Sequence, residues 1–159
     1  MKQILCKGER MQAETSPTKD PGQVAFFVGN LCQEADLIYR FGYALTLSEV
    51  GAAKLVMETY RSLIGQLDRL LASSSQDIRL ELAKAAWHIF QSWNETFEET
   101  DSLVLDFLHS LTIDIRIVLT LVDALGFSPE ETAQILELKD VELRRYLAEG
   151  RKQMIGFDS

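Results

Sequence analysis

Residues 126–131 carry the signals that end one helix and begin the next, and they constrain the fold of this chain more than any other feature. Gly126 suits the left-handed position that ends a helix, and Ser128 and Pro129 follow as a typical N-cap and first helical residue. Glu131, three residues after Ser128, completes the pattern of a capping box. Apolar residues at three- and four-residue spacing precede the stop and follow the start. The pattern therefore predicts consecutive helices joined by tight turns.

Three helices are predicted within residues 111–154. The first ends at Gly126, the second is short, and the third begins near Asp140 after a turn of about three residues. In the third helix, Leu143 and Leu147 share a buried face, which leaves charged side chains in solvent. A short helix followed by a longer one with basic residues is typical of a helix-turn-helix, although any small helical hairpin has the same pattern.

The earlier part of the chain predicts three more helices. An apolar helical face extends over residues 24–46, and Ser48 is a typical N-cap for a second helix over residues 49–71. A serine-rich loop precedes Asp77, the expected cap of a third helix that ends near residue 94. These helices have enough apolar area to close a core, so the predicted fold class is all-α.

Composition limits the class of protein and its location. A chain of 159 residues is long enough for one compact domain or two small ones. No apolar run approaches the length of a membrane span, and the N-terminus lacks the apolar core of a signal peptide, so the predicted location is cytoplasmic. Cys6 and Cys32 are too few and too isolated for a disulfide framework or a zinc site.

The net charge argues against a wide DNA-binding surface. The formal net charge is -8 and the isoelectric point is about 4.8. Binding to phosphate backbones depends on lysine and arginine replacing counterions, which an acidic chain opposes. A local basic patch remains compatible with this charge.

A long motif occupies the second half of the sequence. Its residues are Leu111, Arg116, Val118, Leu119, Leu121, Gly126, Ser128, Glu130, Glu131, Ala133, Ile135, Leu136, Leu147 and Arg151. Without a gap, this motif resembles the fourth region of the extracytoplasmic-function sigma factors. The run G-F-S-P-E-E-T-A-Q-I-L within it is also similar to the sigma-like half of general-stress response regulators.

A second motif lies earlier in the chain. Its residues are Tyr39, Arg40, Ala44, Leu45, Thr46, Ala52, Leu55, Val56, Glu58, Thr59 and Tyr60. It resembles the second region of the same sigma family. The two motifs occur in the family's order, so the chain is identified as a degenerate member of that family.

The resemblance implies two small helical domains. Residues 1–22 are predicted to form a flexible tail, residues 23–95 a three-helix bundle like sigma region 2, and residues 109–159 a helix-turn-helix like sigma region 4. Residues 96–108 are then a short acidic linker. A protein of this family docks on the RNA polymerase core, melts and recognises promoter DNA, and is controlled by an anti-sigma protein.

The resemblance also places three sets of candidate site residues. DNA contacts are predicted at the start of the last helix and along it, at Lys139, Glu142, Arg144, Arg145, Arg151 and Lys152. The same charges also fit an ordinary solvated helix face. A polymerase- or anti-sigma-binding surface is predicted at Lys54, Leu55, Met57, Glu58 and Arg61. Promoter melting is predicted for Arg79, Lys84 and Trp87, although a tryptophan on a helix is more often part of a core.

Four departures from the family pattern leave two functions open. Lys54 stands where the family has an aspartate, Met57 where it has a glutamine, Glu137 where it has a glycine, and Glu142 lies on the recognition helix. A reversed sign at Lys54 weakens docking on polymerase. The chain is therefore predicted to be a working sigma subunit or, alternatively, a mimic that binds an anti-sigma protein without recognising DNA.

An enzymatic role is the weakest interpretation. The sequence has no glycine-rich phosphate loop, nucleophile-base pair or metal-spaced cluster, so no catalysis, cofactor, metal or small-molecule substrate is predicted. Phosphorylation of Thr59 is a further hypothesis, because it would add negative charge beside Lys54.

Overall fold

The computed structural model describes residues 32–100 and 106–157, together with Pro21 and Gly29. Its helices are α1 Ala35–Thr46, α2 Glu49–Leu63, α3 Leu67–Leu71, α4 Ser75–Ser92, α5 Asp106–Ser110, α6 Ile113–Leu119, α7 Pro129–Leu136 and α8 Asp140–Phe157. No strand occurs in residues 32–100 and 106–157, and the predicted all-α class is confirmed. Apart from Pro21, the predicted tail lies outside the described residues, as do residues 101–105 of the predicted linker.

Two features predicted for the early helices differ from the structure. The helix predicted over residues 49–71 is interrupted by a 3-10 turn at Ile64–Gln66, which contains Gly65, a residue that weakens a helix interior. Ser74 rather than Asp77 is the N-cap of α4, because the Ser74 hydroxyl accepts a hydrogen bond of 3.2 Å from the Asp77 backbone N–H. The first difference is a break inside a predicted helix, and the second concerns a helix start, which local patterns define less well than the helix itself.

The first half of the structure, residues 32–100, is built on contacts among α1, α2 and α4. The backbones of α1 and α2 approach closely at Gly42, where an added Cβ would lie 3.0 Å from the Cα of Ala52. Ser48 caps α2 as predicted, since its hydroxyl accepts from the Gly51 N–H. Side chains of this half that are 0% exposed include Ile38, Phe41, Ala52, Leu55, Thr59, Leu82, Ala83 and Ala86.

The second half, residues 106–157, packs α6, α7 and α8 together. A π-helical turn, Thr120–Ala124, continues α6, and Gly126 then takes a left-handed φ of 74°, as its predicted place at a helix end requires. Leu143 and Leu147 of α8 are buried, which confirms their predicted orientation. The helix-turn-helix arrangement thus consists of α7, a turn at residues 137–139, and α8.

The two halves share one hydrophobic core. α1 packs on α6, and α4 packs on α7. Arg116 of α6 is 8% exposed and donates to the backbone carbonyl of Ala44 in α1. The predicted domain boundaries at residues 95 and 109 lie on either side of the connection between the two halves. That each half folds independently stays a prediction.

In the described part of the chain, no helix combines the length and apolarity that crossing a bilayer requires.

Candidate partner-binding surfaces

The turn before α8 keeps the geometry of a helix-turn-helix although its glycine is absent. Glu137 ends α7 in the left-handed conformation with φ 55°, and its N–H donates to the carbonyl of Ala133. A non-glycine residue pays a conformational cost there. The Lys139 N–H then donates to the Glu142 carboxylate at 3.2 Å, so Glu142 caps α8 from its first turn. Glu142 is thereby engaged in holding the helix start.

Two of the four basic candidates of α8 are paired within the chain. Arg144 forms an ion pair of 2.9 Å with Asp140, one turn earlier. Arg151 donates two hydrogen bonds to Asp123, of 2.7 and 3.2 Å, and this contact raises the pKa of its guanidinium. Neighbouring carboxylates therefore offset much of the positive charge that would attract phosphates.

Arg145 and Lys152 are the basic side chains of α8 that remain available. Arg145 is exposed and lies 5.0 Å from the centre of the Tyr146 ring. Lys152 is exposed and forms no ion pair within the described residues. A DNA surface on α8 would depend on these two side chains and on Lys139.

The predicted docking surface on α2 loses one of its five residues. Leu55 is fully buried, because it packs against Gly42 of α1. It therefore belongs to the core, and its prediction as a binding contact is wrong. Met57 is 55% exposed and Arg61 is also exposed, so both remain on the surface.

Lys54 and Glu58 are engaged by the segment that follows α4. Residues 93–100, here called the connector, have no helix or strand and lie against α2. Lys54 forms an ion pair with Glu95 and a longer one, of 3.7 Å, with Glu58. The hydrogen bond to Glu95 is the largest of the effects that raise the pKa of Lys54. The reversed charge at Lys54 therefore has a partner within the chain.

The predicted melting residues have structural contacts instead of a shared exposed surface. Arg79 donates to the Leu125 carbonyl at 2.7 Å, forms an ion pair of 3.4 Å with Glu34, and lies 5.1 Å from the centre of the Phe127 ring. These contacts fasten α4 to the end of α6.

The other two melting candidates are partly buried. The Trp87 indole packs against the core, and its N–H is buried without a hydrogen-bond partner among the described residues. Lys84 lies 4.0 Å from Glu81. Lys84 and Trp87 lie three residues apart on α4 and are partly exposed, and their role in promoter melting stays a prediction.

Thr59 is 0% exposed, so its hydroxyl is inaccessible to a kinase in this structure. Phosphorylation requires an accessible hydroxyl, and the core position of Thr59 argues against that hypothesis. Within residues 32–100 and 106–157, no group of three or more potential metal ligands occurs.

Sequence reasoning missed the connector as part of a site. Its three acidic residues, Glu95, Glu98 and Glu99, indicated a solvated segment. The available signal was the alternation of Trp93, Glu95 and Phe97, since residues two apart in an extended chain share one face.

Solved structures with this fold include two complexes of an anti-sigma factor. The co-crystal structure of the sigma factor RpoE in complex with the anti-sigma factor NepR from Bartonella quintana matches with a TM-score of 0.66 and 19% identity, over 80% of this chain and 93% of that chain. The NMR structure of the PhyRSL–NepR complex from Sphingomonas sp. Fr1 matches with a TM-score of 0.65 and 24% identity, over 80% and 86%. No protein-family model and no curated protein matches the chain. The predicted sigma-like fold is therefore confirmed.

Proposed function

We propose that this protein is a sigma-like regulator of bacterial transcription initiation that binds an anti-sigma protein. The observation that supports this function is that both similar structures are complexes with NepR, and that each match extends over most of both chains. An anti-sigma protein would contact the exposed face of α2 at Met57 and Arg61 together with part of the second half. A cytoplasmic location belongs to this proposal.

We favour the form in which the protein is a sigma mimic, which binds the anti-sigma protein without recognising a promoter. The pairing of Arg144 with Asp140 and of Arg151 with Asp123 supports this form, because it reduces the charge that α8 offers to DNA. A sigma subunit also uses its two regions on separate promoter elements, as the family resemblance implies. Here Arg79 and Arg116 hold the two halves together.

A working sigma subunit is the second candidate. It is favoured by Arg145 and Lys152, which are exposed on the recognition helix, and by the likeness to RpoE, itself a sigma factor. In that case the RNA polymerase core and promoter DNA are partners as well, and residues 23–95 and 109–159 would act as separable domains.

Binding assays with purified partners separate the two candidates. The protein is mixed with NepR from either similar complex or with the RNA polymerase core, and complexes are separated by size-exclusion chromatography. The mimic forms a complex with NepR and is not retained by polymerase. Retention by polymerase together with promoter-dependent transcripts would establish the subunit instead.

A matched pair of variants tests the predicted surface on α2. Met57→Lys places a charge on the exposed apolar position and is expected to weaken NepR binding at least tenfold. Gln91→Lys adds the same charge to the exposed side of α4 and should leave binding unchanged. Equal binding by both variants would remove α2 from the interface.

A further inference from the structure

The connector is attached to α2 along most of its length. At one end, the Trp93 indole N–H donates to the Glu58 carboxylate at 2.9 Å. At the other end, the Thr100 N–H donates to the Leu47 carbonyl at 2.9 Å, and the Thr100 hydroxyl accepts from the Glu49 N–H at 3.1 Å. The connector therefore runs antiparallel to α2, from its middle back to its first turn.

The first five residues of the connector place one carboxylate and two aromatic rings against α2. Trp93, Glu95 and Phe97 alternate along the segment, and all three surround the Lys54 ammonium group. Glu95 forms the ion pair with it, and the ring centres lie 5.1 Å (Trp93) and 5.9 Å (Phe97) from the nitrogen. An acidic group between two aromatic rings is a favourable environment for a cation.

The connector occupies part of the predicted docking surface. Lys54 and Glu58 are two of the four candidates that remain on α2, and both side chains are about two-thirds covered, at 30% and 34% exposure. Met57, beside them, is 55% exposed. A macromolecule that contacts Lys54 and Glu58 directly must take the place of the connector.

We propose that the connector is a displaceable internal ligand of α2, and that the surface beneath it binds an extended partner segment in which an acidic residue lies between two aromatic residues. This inference rests on the proposed function only in assigning partner binding to α2. The connector acts as a competitor, and its displacement exposes Lys54 and Glu58 to the partner. Lys54, which departs from the family's aspartate, is then the residue that selects this acidic chemistry.

The contacts have the character of a reversible association. The ion pair between Lys54 and Glu95 is partly open to water, at 30% and 47% exposure, where such pairs contribute little stability. Because the connector is tethered at both ends, its effective concentration at α2 is on the order of millimolar, so weak contacts suffice to keep it bound. Local opening of such a segment needs far less free energy than unfolding of the core.

Amide hydrogen exchange tests whether the connector is held on α2 by Lys54 and Glu95. It is measured in variants that reverse one or both of these charges. In the native protein, the Thr100 amide is expected to exchange at least tenfold more slowly than an unprotected amide, and faster than the amides of α2. Glu95→Lys and Lys54→Glu should each abolish this protection, because each places like charges together. The double variant with both changes should restore it.

Glu98→Lys is the matched control, since Glu98 is exposed and lies in the same segment. It makes the same change of charge and should leave Thr100 protected. If Thr100 exchanges equally in the native protein and in Glu95→Lys, or if Glu98→Lys removes protection to the same extent, the connector is not held by Lys54 and the proposal is wrong.

A peptide in solution tests the recognition chemistry without any anti-sigma protein. The probe is a synthetic peptide of residues 93–100, added at ~2 mM, which matches the effective concentration of the tethered segment. In Glu95→Lys, the peptide is expected to shift the NMR signals of α2 amides near Lys54. The native protein should show smaller shifts, reduced by up to about twofold, because its own connector competes at a similar effective concentration.

A control peptide with lysine at the position of Glu95 should produce no shifts. Equal shifts with both peptides, or none with the native peptide in Glu95→Lys, would overturn the proposed recognition. Failure of NepR binding alongside positive peptide results would instead reject the proposed function and leave the internal association in place.

Discussion

The guanidinium of Arg116 in α6 donates from Nε to the backbone carbonyl of Ala44 in α1, although 72 positions separate the two residues. The same side chain donates from Nη1 to the carbonyls of Leu108, at 3.3 Å, and Leu111, at 3.4 Å. One arginine therefore joins the end of α1, α5 and the start of α6. Burial lowers the pKa of this guanidinium, while the negative charge of Glu99 opposes the shift.

Replacing Arg116 should cost more stability than replacing any exposed arginine. Arg116→Met fills a similar volume but leaves three carbonyl groups without this donor, and we expect the free energy of unfolding to fall by about 2–3 kcal/mol. Urea denaturation followed by circular dichroism measures the change. Arg116→Lys keeps the charge but not the planar guanidinium, so its free energy of unfolding should lie between those of the native protein and Arg116→Met.

Arg144→Met is the control, because Arg144 lies on the exposed side of α8 and, among the described residues, forms an ion pair only with Asp140. Its effect should stay within about 0.5 kcal/mol. Equal losses in Arg116→Met and Arg144→Met would mean that the contact between the halves contributes little to folding.

The start of α7 gives a prediction for the dependence of stability on pH. The Ser128 N–H donates to the Glu131 carboxylate at 2.8 Å, and the Gln76 amide donates to the other carboxylate oxygen at 2.6 Å. These hydrogen bonds lower the pKa of Glu131, with the Ser128 backbone N–H contributing most. A lowered pKa contributes stability above the ordinary value of 4.5, and that contribution is lost as the pH falls through the lowered value.

Glu131→Gln should therefore lower the free energy of unfolding by about 1 kcal/mol at pH 7, and the difference from the native protein should shrink below pH 4.5. Denaturation at a series of pH values measures it. Glu130→Gln removes an equal charge from the same helical turn at an exposed position and should show no such trend. A difference that grows as the pH falls would falsify the assignment to the capping box.

The helix-turn-helix could be predicted from residues that are close together in the sequence. Contacts between distant helices could not be predicted from the sequence pattern. Ser128 and Glu131 form the predicted capping box because all its atoms lie within four residues. Leu55 lies on the apolar stripe that the spacing along α2 predicts, but the close approach of Gly42 against it comes from another helix, which that spacing does not reveal.

The connector shows the same limit for the candidate site. Glu95 lies beside the predicted linker, and the acidic residues of that segment indicate that it is solvated. Its partner, Lys54, lies 41 positions earlier in the sequence, on α2. An interpretation based on segment composition cannot include such a contact.

Gly150 allows α6 and α8 to pack closely. A Cβ added there would lie 2.6 Å from Leu119 Cδ1 and 2.8 Å from Ile115 Cγ2, which is shorter than side chains tolerate. We expect Gly150→Ala to reduce the free energy of unfolding by about 1–3 kcal/mol, measured by thermal or urea denaturation. The control is Gly156→Ala in the same helix, where a Cβ has open space and helix propensity predicts a gain of up to about 1 kcal/mol. Gains in both variants would contradict the close contact.

Asp140 provides a test of whether intramolecular pairing limits DNA binding by α8. Asp140→Asn removes a negative charge and releases Arg144, so affinity for a nonspecific DNA duplex at low salt should rise severalfold and depend more steeply on salt concentration. Fluorescence anisotropy with a labelled duplex measures both effects. Glu98→Gln changes the net charge equally but lies in the connector, so it should alter affinity much less. Tight, salt-dependent binding by the native protein that Asp140→Asn does not improve would show that the carboxylate is no obstacle, and it would favour the working sigma subunit over the mimic.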